Sequence, residues 1–160
     1  MASQKPNKVT IVCTANVCRS PLGERLLAEA LKKGKGALRQ LQVVSAGVAA
    51  RDGSPASPLS VEVLEGEGIN LSDHISQALT QELVDESLLI LGMTSDHVNI
   101  IEALFDTKEN QVQLYRGFLG PKKNDQIPDP FGGDHKLYQK TLASIKEATP
   151  SILEHLQKIS

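Results

Sequence analysis

Apolar residues follow two different patterns along the chain, and the two patterns alternate. Short continuous apolar runs, rich in β-branched residues, predict four buried strands. These runs cover residues 8–13, 40–46, 88–93 and 111–116. Between the runs, apolar residues recur every three or four positions and predict four helices. These stretches cover residues 21–33, 60–68, 95–104 and 133–158, with Thr94 or Ser95 as the cap of the third and Pro150 inside the last. Pro150 predicts either a kink or the start of a separate short helix.

Strands that alternate with helices predict a parallel sheet with helices packed on both faces. We therefore expect an α/β fold, a three-layer Rossmann-like domain with a four-stranded parallel sheet, in which residues 1–160 form a single domain. The run 88–93 is almost wholly apolar, as is typical of a central strand covered on both sides. Ligands of such sheets bind at the carboxyl ends of the strands, and the first strand ends at Cys13.

Composition and charge remove several classes of function. The chain has 160 residues, a net charge of -2, 40% hydrophobic and 22% charged residues, which is typical of a globular protein. A nearly neutral chain argues against nucleic acid as a partner. No run approaches the ~18 apolar residues of a membrane helix, and the polar stretch 1–8 lacks the pattern of a signal peptide. We expect a cytoplasmic protein with no membrane partner.

The two cysteines, Cys13 and Cys18, are the only ones in the chain and lie five positions apart. Two cysteines cannot form a disulfide framework, and they fall short of the four ligands that zinc usually takes. We expect no metal and no cofactor. Because the two cysteines lie so close together, we expect them to take part in a reaction rather than to crosslink the fold.

The segment from Cys13 to Pro21 joins the first strand to the first helix. In such a turn, successive backbone N–H groups can point into one concavity and bind an oxyanion, aided by the helix dipole. The guanidinium of Arg19 can hold two phosphoryl oxygens, and thiolates near such cations are stabilised nucleophiles. The hydroxyl of Ser20 can hydrogen-bond the sulfur, and Asn16 suits a loop position with unusual backbone angles. The predicted phosphate-binding loop consists of Thr14, Ala15, Asn16, Val17, Cys18 and Ser20.

Displacement of an alkoxide or phenoxide also requires an acid that protonates the leaving group. Asp129 is the best candidate, because Pro128 and Pro130 hold it in a stiff loop just before the last helix. The same carboxyl group could afterwards act as a base toward water. Cys13, Arg19 and Asp129 are the predicted catalytic residues.

The stretch Val12–Pro21, which reads Val-Cys-Thr-Ala-Asn-Val-Cys-Arg-Ser-Pro, and the later Asp129-Pro130 resemble the low-molecular-weight protein tyrosine phosphatase family. The resemblance is to its bacterial-type branch, which includes protein arginine phosphatases. Further similar segments are Ser45-Ala46-Gly47, Gly68-Ile69, Asp73-His74 and Met93-Thr94.

The resemblance implies that Cys13 forms a phosphocysteine intermediate, with Ser45 and His74 supporting the loop. It also implies that Cys18 forms a reversible disulfide with Cys13 on oxidation. Ala15 replaces the family glycine, and alanine would cost ~1 kcal/mol if that position needed a positive φ.

The resemblance further implies phosphorylated protein substrates, with inorganic phosphate as product. We expect phosphotyrosine to be the substrate, bound between walls made of Val17, Arg51 and Phe131. Phosphoarginine is the alternative: the segment Asp-Pro-Phe-Gly-Gly resembles that branch, but the threonine associated with arginine selectivity is replaced by Val17.

Two other readings are disfavoured. Arsenate reductase of the same fold needs further cysteines, and none follows Cys18. A non-catalytic phosphopeptide-binding module would be favoured if Cys13 or Asp129 were missing. The chain is expected to be a monomer or a weak dimer. The remaining histidines, His97, His135 and His155, are expected to lie on the surface.

Overall fold

The computed structural model describes residues 5–160, so the first four residues of the polar amino-terminal stretch lie outside it. Its strands are β1 (Lys8–Cys13), β2 (Gln42–Gly47), β3 (Ser87–Gly92) and β4 (Val112–Leu114). Its helices are α1 (Arg19–Lys32), α2 (Pro58–Glu65), α3 (Gln81–Asp85), α4 (Ser95–Leu104) and α5 (His135–Ile159), with a short 3₁₀ helix at Gly36–Gln40. Within residues 5–160, no helix combines the length and apolar character needed to cross a membrane.

The four strands form one parallel sheet in the order β2-β1-β3-β4. Side chains of β1 alternate between the two faces of this sheet. Val9 and Ile11 pack into a large core with residues of α1 and α5, whereas Val12 packs into a smaller core with residues of α3 and α4. The predicted three-layer α/β fold is therefore confirmed, and β1 lies at its centre.

The predicted strands and helices are found close to their predicted positions, and the structure adds α3 and the 3₁₀ helix, which were not predicted. Helix α1 begins at Arg19, two residues earlier than predicted, so the predicted phosphate-binding loop runs directly into its first turn. Thr94 caps α4, as one of the two predicted candidates, and its side chain accepts a hydrogen bond from the backbone N–H of His97.

Helix α5 continues through Pro150, so the prediction of a separate short helix is wrong. The proline side chain is exposed, while Ala148 and Ile152 on either side of it are wholly buried. A proline removes one helical hydrogen bond, but here the loss falls on the solvent side, where water can replace it. Packing of the buried stripe holds the two halves in one helix.

Candidate active site

The loop that follows β1 is held against the end of β2. Cys13 lies opposite Gly47 in the sheet, and the carbonyl groups of Cys13 and Thr14 accept hydrogen bonds from the N–H groups of Val48 and Ala49 at 3.0 and 2.9 Å. A Cβ atom on Gly47 would lie only 2.4 Å from the carbonyl oxygen of Thr14. Glycine at this position lets the loop lie directly on the sheet edge.

A cavity of about 230 Å³ opens at this edge. Its lining residues are Cys13, Thr14, Ala15, Val17, Cys18, Arg19, Asp129 and Phe131. The structure thus brings the three predicted catalytic residues together, although Asp129 is distant from the others in sequence. Arg51, predicted as part of the substrate wall, is exposed and is not among the lining residues, and its backbone carbonyl accepts a hydrogen bond from Ser76 Oγ.

A hydrogen-bond network leads from the sulfur of Cys13 to a carboxylate. Cys13 Sγ lies 3.0 Å from Ser20 Oγ, and Asn16 Nδ2 donates to Ser20 Oγ at 2.8 Å and to Ser45 Oγ at 2.9 Å. Ser45 Oγ in turn donates to Glu24 Oε1 at 2.7 Å. Because Nδ2 only donates, Ser20 Oγ accepts from it, and the Ser20 hydrogen is left to the sulfur. A donated hydrogen bond stabilises a thiolate.

Asn16 shapes the loop through its backbone as well. Its φ of 61° is in the left-handed region, as predicted, and its Oδ1 accepts a hydrogen bond from the backbone N–H of Gln77 at 3.0 Å. The backbone carbonyl of Asn16 accepts a hydrogen bond from Nε2 of the buried His74 at 2.7 Å. Ala15 does not have a positive φ, so the strain considered for alanine at that position does not arise.

Arg19 is buried, and its guanidinium faces the cavity. Nη1 donates to the carbonyl of Ile127 at 2.9 Å, and Nη2 lies 3.9 Å from Asp129 Oδ2. Among the buried side-chain nitrogen and oxygen atoms of residues 5–160, Arg19 Nε is the one that has no hydrogen-bond partner. Buried donors are almost always paired, so this N–H suits an anion bound in the cavity.

Asp129 lies at the mouth of the cavity, with its side chain 51% exposed. Its Oδ1 accepts a hydrogen bond from the backbone N–H of Phe131 at 3.0 Å, while Oδ2 faces Arg19. Phe131 is 76% exposed on the rim. The cavity therefore combines a sulfur, a buried cation and a carboxyl group, which are the groups needed for phosphoryl transfer through a covalent intermediate.

The sequence pattern of one known family extends over nearly the whole chain. The family described as low molecular weight phosphotyrosine protein phosphatase matches residues 8–160. The chain belongs to this family. Its members are enzymes, and the resemblance noted from the sequence is confirmed.

The relatives of this chain include proteins named as tyrosine phosphatases and proteins named as arginine phosphatases. The chain is 31% identical to the low molecular weight protein-tyrosine-phosphatase Etp of Escherichia coli, over 99% of this chain and 100% of Etp. It is 33% identical to the protein-arginine-phosphatase of Bacillus subtilis, over 94% of this chain and 97% of the relative. The structure of Vibrio vulnificus Wzb in complex with benzylphosphonate superposes with a TM-score of 0.81 at 30% identity, covering 94% of this chain and 99% of Wzb.

The phosphatase site contains polar residues that the sequence reasoning missed. Glu24 terminates the network behind Cys13, and it lies one helical turn after Ser20, so the spacing alone could have indicated it. Tyr138 OH lies 3.4 Å from Cys18 Sγ, and no local pattern indicates this contact between α5 and the loop. Burial raises the pKa of the Cys18 thiol, and the hydrogen bond with Tyr138 partly offsets that effect.

The expectation that His97 lies on the surface is wrong. Its side chain is buried at the start of α4, and Nε2 lies 2.9 Å from Oγ1 of Thr14. Burial, and secondly the positive charge of Arg19, lower the pKa of His97 to about 4. His135 and His155 are half-buried; His155 stacks on Phe118, away from the cavity.

Proposed function

We propose that this protein is a phosphatase that hydrolyses phosphotyrosine in proteins through a phosphocysteine intermediate. The observation that carries the proposal is the single cavity lined by Cys13, Arg19 and Asp129. Membership of the phosphatase family supports the same reaction class.

In the first step, the thiolate of Cys13 attacks phosphorus. A sulfur–phosphorus bond forms, the bond from phosphorus to the phenolic oxygen breaks, and its electron pair leaves with that oxygen. Asp129 gives its proton to the leaving oxygen. Arg19 and the backbone N–H groups of the loop hold the phosphoryl oxygens, whose charge they stabilise in the transition state.

In the second step, Asp129 takes a proton from a water molecule that attacks the phosphocysteine. The sulfur–phosphorus bond breaks, inorganic phosphate forms, and the electron pair returns to Cys13. The hydrogen that Ser20 donates to the sulfur stabilises the departing thiolate. No group other than these side chains and water is required for the proton balance.

The walls of the cavity suit an aromatic leaving group. Val17 and the exposed ring of Phe131 line it, so that a phosphorylated phenol would contact apolar surface on the way to Cys13. The Wzb relative binds benzylphosphonate, a phosphorus group attached to an aromatic ring through one carbon. This ligand chemistry supports phosphotyrosine as the substrate.

Phosphoarginine is the second candidate, and two observations favour it. Phe131 is the one aromatic residue among those that line the cavity, and the chain is 33% identical to an arginine phosphatase. Turnover of phosphotyrosine and phosphoarginine proteins should be compared side by side, in the wild type and in Val17→Thr. We expect the wild type to prefer phosphotyrosine and Val17→Thr to shift the ratio toward phosphoarginine. A strong wild-type preference for phosphoarginine would reverse the order of the two candidates.

The reaction itself is tested by two substitutions. Cys13→Ser should abolish turnover of phenyl phosphates while the protein still binds phosphate, because the nucleophile is lost and the cavity is kept. Asp129→Ala should slow turnover by about 10²–10⁴-fold, the usual contribution of a general acid. Asp125→Ala is the matched control, since Asp125 is exposed and is not among the residues that line the cavity. Normal turnover by Cys13→Ser would contradict the proposal.

We further propose that residues 1–160 act as one domain, in the cytoplasm, as a monomer or a weak dimer. Phosphoproteins are the substrate class that the family implies. Sedimentation velocity over a range of concentrations measures the oligomeric state, and a tight dimer at nanomolar concentration would contradict this part of the proposal.

A further inference from the structure

His97 is a buried histidine that the reaction proposed above does not use, yet both of its ring nitrogens are engaged. Nδ1 lies 3.2 Å from the backbone nitrogen and 3.0 Å from Oγ1 of Thr94, at the start of α4. Nε2 lies 2.9 Å from Oγ1 of Thr14, the residue that follows Cys13. The ring therefore connects α4 to the phosphate-binding loop.

The neighbours of the ring determine where its hydrogen lies. The backbone N–H of Thr94 can only donate, so Nδ1 accepts that hydrogen bond and carries no hydrogen itself. The neutral imidazole then has its hydrogen on Nε2 and donates it to Oγ1 of Thr14. Burial and the charge of Arg19 favour this neutral form, since they lower the pKa of His97 to about 4.

Thr14 is held on two sides while its side chain stays exposed at the cavity. Its carbonyl accepts a hydrogen bond from the N–H of Ala49 at 2.9 Å, and its hydroxyl oxygen accepts one from His97. Among residues 5–160, only His97 forms a hydrogen bond with this hydroxyl. The hydroxyl hydrogen is therefore left for an acceptor, and the cavity that Thr14 lines is the place where a phosphoryl oxygen would lie.

We propose that His97 is a positioning residue for phosphoryl binding, which orients the hydroxyl of Thr14 as a donor to an oxygen of the group bound in the cavity. The proposal rests on the proposed function for the identity of that group. The positioning role is distinct from the structural role of His97 at the start of α4. The structural role uses Nδ1, whereas the contact with Thr14 uses Nε2. The two roles can be separated by substitution on the Thr14 side.

The test is a double-mutant cycle read out by binding of inorganic phosphate to the full chain, measured by calorimetry. We expect Thr14→Val and His97→Ala each to weaken phosphate binding about tenfold, as loss of a hydrogen bond to an anion does. The double variant should bind no more weakly than the single ones, because both substitutions remove the same contact. His155→Ala is the matched control, since His155 lies away from the cavity, and it should bind phosphate like the wild type.

Stability measurements separate the cap from the positioning role. Both substitutions should lower the unfolding temperature, but His97→Ala should lower it more. His97→Ala removes the hydrogen bond to the backbone N–H of Thr94 at the start of α4 as well as the contact with Thr14, whereas Thr14→Val leaves only the buried Nε2–H without its partner. His97→Gln keeps an acceptor and a donor on one side chain and should bind phosphate more tightly than His97→Ala. The kcat/KM for para-nitrophenyl phosphate should follow the same order as phosphate affinity.

Two results would overturn the proposal: wild-type phosphate affinity in Thr14→Val, or losses from the two substitutions that add in the double variant. Either would show that His97 acts on α4 alone. A wild-type protein that binds phosphate but does not turn over a phosphomonoester would instead contradict the proposed function. In that case the binding cycle still decides the role of His97.

Discussion

Substitution of Gly47 by alanine tests whether the end of β2 holds the phosphate-binding loop in place. An alanine Cβ would lie 2.4 Å from the carbonyl oxygen of Thr14, 2.8 Å from Cβ of Ala50 and 3.0 Å from the backbone nitrogen of Asn16. Two of these three atoms belong to the backbone of the loop and cannot rotate away. Gly47 does not have a positive φ, so the effect of alanine is steric alone.

The size of the clash sets the size of the expected effect. Contacts to a real Cβ are essentially never shorter than 3.0 Å, so the loop and β2 must separate by the difference between 2.4 and 3.0 Å. Overpacking of this kind costs about 1–3 kcal/mol, which lowers the unfolding temperature by roughly 2–4 °C per kcal/mol in a chain of this size. Because the loop carries Cys13, we expect kcat/KM for para-nitrophenyl phosphate to fall by up to about 10²-fold.

Gly66→Ala is the matched control. Gly66 ends α2 with a φ of -61°, and its Cβ would lie 3.4 Å from the nearest atom, the carbonyl oxygen of Val63. This variant should keep wild-type activity and gain about 0.4–1 kcal/mol of stability through the lower entropy of its unfolded chain. Gly47→Ala with wild-type stability and activity would refute the argument that the close backbone approach positions the loop.

Three further predictions concern buried side chains. Because folding lowers the pKa of His97 from 6.5 to about 4, the unfolded chain binds more protons between these values, and stability falls as the pH drops through them. From pH 7 to pH 5, the free energy of unfolding measured with urea should therefore fall by about 2 kcal/mol more in the wild type than in His97→Gln; equal losses would contradict the pKa. After prolonged exposure to peroxide, thiol reductants should restore the wild type, in which the predicted Cys13–Cys18 disulfide stops oxidation, but not Cys18→Ala, in which the sulfenic acid of Cys13 is oxidised further to sulfinic acid; equal recovery of the two proteins after the same exposure would contradict that disulfide. Tyr115 is wholly buried with its hydroxyl 2.8 Å from Thr149 Oγ1, so Tyr115→Phe should cost about 1 kcal/mol in urea unfolding, and an unchanged stability would show that the hydrogen bond contributes nothing net.

The sequence predicts the sheet and the cavity floor well because their signals are local. Four apolar runs are long enough to indicate strands, and the loop from Cys13 to Arg19 carries its chemistry in consecutive residues. Asp129 could be connected to that loop only through the fold, since the carbonyl of Ile127 must reach Arg19 before the aspartate faces the cavity. The sequence indicated Asp129 through the need for an acid and its proline-flanked loop, and the family resemblance supported that choice.

The elements that the sequence did not predict are short or depend on contacts between distant segments. Helix α3 has five residues, too few for a helical period to be recognised, although Thr80 caps it with a side-chain hydrogen bond. His97 looks like a surface residue of an amphipathic helix, because nothing near it in sequence shows that Thr14 contacts its Nε2. Arg51 as part of the substrate wall stays a prediction.

The nucleophile and the acid lie on parts of the molecule with very different surroundings. Cys13 ends a central strand, with hydrogen-bonded strands on both sides. Asp129 instead follows the buried Ile127 in a segment that is largely exposed and ends before α5. Replacement of residues 128–133 would leave the sheet and both cores intact. The entrance of the cavity can thus be altered by exchange of one short segment in which Asp129 is kept, without disturbance of the strand that presents the sulfur.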